Sequence, residues 1–423
     1  MLLFLSLFAA LMPLGDCAPL EDLVEHLPDF GPPPTAQFSG YLDGTAGCDT
    51  ASNGDFCKVH YWLALAEEDP LDKPVVLWLN GGPGSSSILG FLQENGPLMM
   101  NNVGGLMENP WSWTKTANLF VIESPVGVGF SYCANQLDGK VCKNTDKFTA
   151  STARAALQSF FAKFPELASN DFFITGESYA GVYIPTLSKE ILDNAPEINL
   201  VGIAVGDPCT DNTAQMDSMD SLWYGHKYGL VDDAVFDLLW NTCEYRSPTL
   251  MMKGGKHLVA AQLNTQLLND VARLSQDERH ELAEAMHRSL GANPGPRFKP
   301  TPECQMAFRK FVLSSSKALS QSWKDLYIDD YSLFAPVTDK EDDDMCFYMS
   351  RPDVRRALHV EEAPVESWPY DPKVGFDYTK EYDACNDEAA PGALSMIDFY
   401  KDIVPRLRTT IVYNGYVQSG IYA

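Results

Sequence analysis

A mainly parallel α/β sheet flanked by helices and interrupted by one helical insertion is the fold the sequence predicts. Three observations carry it: short continuous runs of β-branched and aromatic residues, longer helical stretches between them, and a strand-to-helix turn built around a serine. Composition agrees, because 45% hydrophobic and 21% charged residues with 30 Gly and 28 Pro exclude a disordered, collagenous or coiled-coil chain. At 423 residues there is room for two or three domains, or for one large domain with insertions. Lys and Arg number 31 against 57 Asp and Glu, a net charge of −26, so neither nucleic acid nor an anionic membrane is an expected partner.

The first element is the apolar run MLLFLSLFAALMPL at Met1–Leu14, too short for a comfortable membrane span and followed by small and acidic residues. Residues 1–18 read as a signal peptide, with a buried N-terminal helix as the alternative. No other run approaches the length of a membrane span, so a soluble protein of the secretory route is expected. Five strands follow at Pro74–Leu79, Leu119–Glu123, Asp171–Thr175, Asn199–Val205 and Thr409–Tyr413. Each is apolar without alternation, the pattern of a strand buried on both faces. A helix is expected over Lys147–Phe164, leading into the strand at Asp171.

Residues 244–304 differ from the rest. From Glu244 to Glu303 there are eight Lys or Arg against seven Asp or Glu, so the chain's acidity lies elsewhere. Leu263, Leu267, Val271 and Leu274 form a helical stripe, and the segment ends in the breaker-rich ANPGPRFKPTPEC. It reads as a helical insertion, either a lid or an ordinary core helix pair, between two parts of one core at 19–243 and 305–423.

Ten cysteines in a secretory chain point to disulfides. Loss of Cys17 with the signal leaves an odd number, hence at least one thiol without an intramolecular partner. Cys48 and Cys57, and Cys133 and Cys142, are spaced to close short loops, although spacing does not fix connectivity. Neither Cys-x-x-Cys nor His-x-x-x-His occurs, so no zinc site and no cofactor is expected. The absence of an Asn-x-Ser/Thr sequon predicts no N-glycan.

The sharpest local signal is Gly176-Glu177-Ser178-Tyr179-Ala180-Gly181, directly after the strand DFFIT. A tight turn flanked by small residues lifts a serine Oγ clear of a sheet edge, as a nucleophile requires. Taken without its strand, the pattern would be a surface turn. The strand PVVLWL likewise runs into Asn80-Gly81-Gly82-Pro83-Gly84-Ser85-Ser86-Ser87, a loop whose bare amides could supply half an oxyanion hole. A phosphate-binding reading fails, since no Gly-Lys-Ser/Thr follows.

WLNGGPGSSS at Trp78–Ser87, ENGP at Glu94–Pro97, NPWSW at Asn109–Trp113, ESPVGVGFSY at Glu123–Tyr132, GESYAGVYIP at Gly176–Pro185 and RPDVRRALHV at Arg351–Val360 together resemble the serine carboxypeptidases. The resemblance implies an α/β-hydrolase fold with a helical insertion. It also implies hydrolysis of C-terminal residues from peptides and proteins in lysosomal, vacuolar or extracellular settings. By it Ser178 is the nucleophile, the amides of Gly82 and Tyr179 form the oxyanion hole, and Trp78, Asn80, Gly81, Glu94 and Glu177 bind the substrate's terminal carboxylate. Glu94 alone would read as a solvated loop charge. Two glutamates can receive a carboxylate if crowding raises a pKa so that one stays protonated and donates.

The resemblance also implies an Asp just after the late strand and a His beyond it. After TTIVYNG the sequence has Tyr416 and Gln418, and none of its seven His follows that strand. Relative to the family the chain reads as C-terminally incomplete, and efficient hydrolysis is not expected of it as written. The alternatives are a secreted protein that binds peptide carboxylates without turnover, and an acyltransferase on the same fold. Where the family carries Cys in the glycine-rich loop this chain has Ser85, and the family's partner position falls at Cys385, the expected odd thiol. The charge of −26 suits an acidic compartment.

Overall fold

The computed structural model describes residues 18–212 apart from 102, parts of 214–243 and 301–311, and residues 340–414 apart from 369–375 and 387. The expected signal peptide, nearly all of the 244–304 insertion, and Tyr416 and Gln418 lie outside the described residues. The strands are β1 (Gln37–Asp43), β2 (Cys57–Ala64), β3 (Val75–Leu79), β4 (Leu98–Met100), β5 (Leu106–Glu108) and β6 (Asn118–Ile122). They continue with β7 (Tyr132–Cys133), β8 (Cys142–Thr145), β9 (Phe172–Glu177), β10 (Leu200–Gly206), β11 (Phe376–Thr379) and β12 (Thr409–Tyr413).

The central sheet runs β1-β2-β6-β3-β9-β10-β12, with β7 also on β2. Pairing is antiparallel from β1 to β6 and parallel from β6 to β12, so the mainly parallel sheet forms as predicted. All five predicted strands are present. β1 and β2 escaped prediction because polar residues interrupt their apolar pattern. Those residues are buried all the same: Gln37, Ser39 and His60 are fully covered, with Gln37 accepting from Trp62 and Ser39 bonded to His60.

One expectation is corrected. The run Thr409–Tyr413 was read as buried on both faces, yet Ile411, Val412 and Tyr413 are 50%, 51% and 44% exposed. β12 pairs with β10 on one edge, and among the described residues no strand pairs with its other edge. An apolar run therefore specifies a strand, whereas burial depends on the neighbours it acquires.

The predicted helix spans Asp146–Lys163, and the Thr145 side chain caps it by accepting from the Phe148 amide at 3.2 Å. Ala153, Ala156, Leu157 and Phe160 recur at helical spacing and are buried. Phe160 stacks on Phe120 of β6 with ring centroids 4.2 Å apart and meets Phe164 at 5.0 Å, while Phe38 of β1 meets Phe164 edge-on at 5.3 Å. Burial of each such ring contributes on the order of 2 kcal/mol.

Contacts divide the chain into two units. The sheet and its helices belong to the first: Met1–Thr210, Thr338–Ala384 and Ala390–Tyr413. The second comprises Asp211–Val337, Cys385–Ala389 and Asn414–Ala423. Within it Leu222, Val235, Leu238, Leu239 and Phe311 cluster around a Cys243–Cys304 disulfide with Cα atoms 5.5 Å apart. That bridge closes the segment read as an insertion.

Disulfides join Cys48 to Cys57 and Cys133 to Cys142, the two short-loop pairs. Cys385 is itself disulfide-bonded, so it is not the odd thiol. A family pairing carried over from sequence assumes that a cysteine left without its usual partner stays reduced. Here Cys385 is bonded although the loop position carries Ser85.

Among the described residues no helix is long and apolar enough to cross a membrane.

Candidate active site

Parallel pairing brings three strand ends to one edge of the sheet. Leu79 of β3 lies opposite Gly176 of β9, and Gly206 of β10 lies opposite Glu177. The residues that follow each strand, Asn80–Ser87, Ser178–Tyr179 and Asp207, therefore meet at the carboxyl edge, where open α/β sheets build their sites.

Ser178 occupies the turn between β9 and the helix Ala180–Asn194 at φ +61°, a conformation few side chains adopt. The strain is held from both sides. Its amide donates to the Gly206 carbonyl at 3.0 Å, and its carbonyl accepts from the amides of Gly181 at 2.8 Å and Cys209 at 2.9 Å. Gly81 sits against this turn: a β-carbon there would stand 2.3 Å from the Tyr179 amide nitrogen and 2.9 Å from Ser178 Oγ. Gly82 follows at φ +111°. The loop and the turn are thus in contact, with Tyr179's amide facing the glycines.

Asn80 is oriented without ambiguity. Its Oδ1 accepts from Trp78 Nε1 at 2.9 Å and from the Gly90 amide at 3.0 Å, which forces Nδ2 outward to donate to Glu177 Oε1 at 3.0 Å. Its own amide donates to Ser87 Oγ at 3.2 Å, closing the loop on itself. Glu94, on the turn after the helix Ile88–Gln93, is exposed as a residue, so the burial of its carboxyl is partial. Burial first, and the charge of Glu177 second, push its carboxyl up to about 7. Glu177 is also raised, by burial above all and by Asp207, against the lowering effect of the Asn80 bond. Trp78, Asn80, Gly81, Glu94, Glu177, Ser178, Tyr179 and Gly82 are thereby gathered on one edge.

Residues 28–419 match the profile of the serine carboxypeptidase family. The chain belongs to that family. It is 38% identical over 231 residues to the lysosomal protective protein of Mus musculus, covering 54% of this chain and 45% of the relative. It is 37% identical over 253 residues to serine carboxypeptidase-like 20 of Arabidopsis thaliana, covering 57% and 48%. The alignments thus span about half the length of these relatives. Among solved structures it resembles Kex1Δp, a prohormone-processing carboxypeptidase from Saccharomyces cerevisiae, with TM-score 0.60, 20% identity, and coverage of 90% of this chain and 74% of that one. The serine carboxypeptidase fold is the α/β-hydrolase fold, and the central sheet has its mainly parallel arrangement.

The geometry adds residues that sequence reasoning passed over. Asp207 follows β10 at φ +42° and acts on Glu177. An acid directly after a parallel apolar strand was the available signal. Tyr413 of β12 belongs to the same group, since burial and then Glu177, Asp207 and Glu94 all push its phenol up. Behind Tyr179 lies Asp146, whose Oδ1 accepts from Tyr179 at 2.8 Å and Tyr378 at 2.6 Å. The Tyr183 hydroxyl accepts from the Gly84 amide at 3.2 Å and so ties the glycine-rich loop to the serine's helix. No periodicity marks these long-range contacts.

Of the four described histidines, His60 bonds Ser39 and Glu123, His226 bonds Asp233 and His359 bonds the Leu23 carbonyl, while His26 is exposed. Among the described residues none is bonded to Ser178.

Proposed function

We propose that this chain receives the C-terminal carboxylate of a peptide at Asn80, Gly81, Glu94 and Glu177 and sets the last peptide bond against Ser178, as a serine-type carboxypeptidase. The observation that carries the reading is the Asn80–Glu177 contact beside a serine held in a strained turn. A polar amide locked by Trp78 and Gly90 turns its Nδ2 toward Glu177, leaving one N–H for a ligand, and both Glu177 and Glu94 have raised pKa values. In the reaction Ser178 Oγ would attack the carbonyl while the amides of Gly82 and Tyr179 receive the developing oxyanion, usually the largest single term. The peptide C–N bond would then break with the serine proton passing to the departing amine of the C-terminal residue, and water would release the acyl group from Ser178. The disulfides and the acid-adapted pocket support a secretory route ending in a lysosome, a vacuole or the extracellular space.

A second reading, a peptide-carboxylate binder without turnover, is favoured by one observation: among the described residues no histidine is bonded to Ser178. Calorimetry with an acylated dipeptide and its C-terminal amide at pH about 5 separates the claims. The free acid is expected to bind at least about tenfold more tightly than the amide, with the preference lost in Asn80→Ala and Gly81→Ala and kept in Ser178→Ala. Equal affinities would overturn the carboxylate reading. A fluorophosphonate probe should label wild type and not Ser178→Ala. An unlabelled but folded wild type would leave the binder in place of the enzyme.

A further inference from the structure

The block ESPVGVGFSY contains a buried acid that the proposed chemistry does not use. Glu123 follows β6 and is fully buried. Its Oε1 accepts from Ser86 Oγ and, at 2.7 Å, from Trp368 Nε1. Its Oε2 accepts from the Phe130 amide at 2.6 Å and faces His60 Nδ1 at 2.8 Å. Beyond His60 the path runs to Ser39 Oγ at 2.9 Å, which donates to the Leu358 carbonyl at 2.7 Å. Ser39, His60 and Glu123 have the connectivity of a serine–histidine–acid triad. All three are buried, however, and the hydroxyl proton of Ser39 is committed to a carbonyl, so the group is a support and not a second reactive centre.

What it supports is the glycine-rich loop. Ser86 is 2% exposed, and besides bonding Glu123 its Oγ accepts from the Ile88 amide at 3.2 Å. The residues on either side of Ser86 fold the loop back on its start: the Ser85 amide donates to the Gly81 carbonyl at 3.1 Å, and Ser87 Oγ accepts from the Asn80 amide. We infer that Glu123 is a positioning residue which, through Ser86, holds Asn80, Gly81 and Gly82 in place for the carboxylate and the oxyanion. A carboxylate that accepts from three separate segments and is faced by His60 from a fourth is rigid, and the glycines at 81, 82 and 84 have no side chains of their own to fix them. Tyr183 holds the far side of the loop at Gly84; Glu123 holds the side that carries the ligand groups.

This inference rests on the carboxylate-binding reading, and the test keeps the two apart. Ser86→Ala removes the link and leaves the buried acid its other partners. In the full chain, hydrogen exchange of the 81–87 amides is expected to rise about tenfold while β3 and β9 keep their protection. Affinity for the acylated dipeptide acid should fall about tenfold with that for its amide unchanged. Unaltered exchange would overturn the inference, as would faster exchange with full affinity for the acid. If wild type shows no preference for the acid, the carboxylate reading fails, and the exchange result alone decides whether Glu123 anchors the loop. Glu123→Gln sets an amide nitrogen against a donor whichever way it turns, the Phe130 amide or Trp368 Nε1, and should loosen the same segment. Should that variant not fold, Ser86→Ala decides.

Discussion

Gly129→Ala is expected to lower the melting temperature of the α/β unit by about 10 °C or more, measured by calorimetry or circular dichroism. A β-carbon at Gly129 would stand 1.8 Å from Glu123 Oε1 and 2.1 Å from its carboxyl carbon, at φ +55°. The acid cannot retreat, since Ser86, Trp368, the Phe130 amide and His60 hold it on all sides. Moving it strands buried polar groups, at a cost of about 3–5 kcal/mol. Gly139→Ala is the control. It shares a left-handed backbone, φ +72°, with no atom within 4 Å of the added carbon, so it carries backbone strain alone, about 1 kcal/mol. Equal losses in the two variants would show that strain and not the Glu123 contact decides.

Affinity for a peptide's free C-terminal carboxylate is expected to be full below about pH 6 and to weaken by up to about tenfold per pH unit as pH rises through 7. The sign follows from the direction of the shift. Burial and then the Glu177 charge raise the Glu94 carboxyl to about 7, so below that value it is protonated and can donate a hydrogen bond to the ligand. Above it, the group ionises and repels the ligand's carboxylate. The raised Glu177 acts in the same direction. Glu94→Gln, a permanent donor, should flatten the profile across pH 5–8 and retain binding at the alkaline end. Calorimetry of an acylated dipeptide acid across that range checks both; an affinity constant from about pH 5 to pH 8 in wild type would sink the mechanism.

Strand positions were legible because β3, β6, β9 and β10 are buried on both faces, and continuous apolar runs leave no other economical fold. The turn at Ser178 was legible because small residues and a preceding strand are local requirements. Glu94 was legible only through resemblance: read by itself, a glutamate on a turn is a solvated charge, and what distinguishes this one is first its partial burial and then the charge of Glu177, both of which depend on residues far away in the chain. Asp207 and Tyr413 escaped for the same reason. Ser39 and His60 lie in strands the sequence did not announce, and Glu123 entered only as the end of a predicted strand and the start of a family motif; only the structure shows the three satisfying one another.

The sequence by itself determined the kind of sheet, the strand-to-helix turn at Ser178, the glycine-rich loop and the family, since each depends on local pattern or on motifs in order. Tertiary structure alone decided that Glu177 lies near enough to raise the Glu94 carboxyl, that Cys385 is disulfide-bonded, that the β12 face is exposed, and that Glu123 bonds the loop through Ser86. These depend on distances between residues far apart in the chain, and both electrostatic coupling and hydrogen bonding fall off too steeply with distance to be read from sequence order.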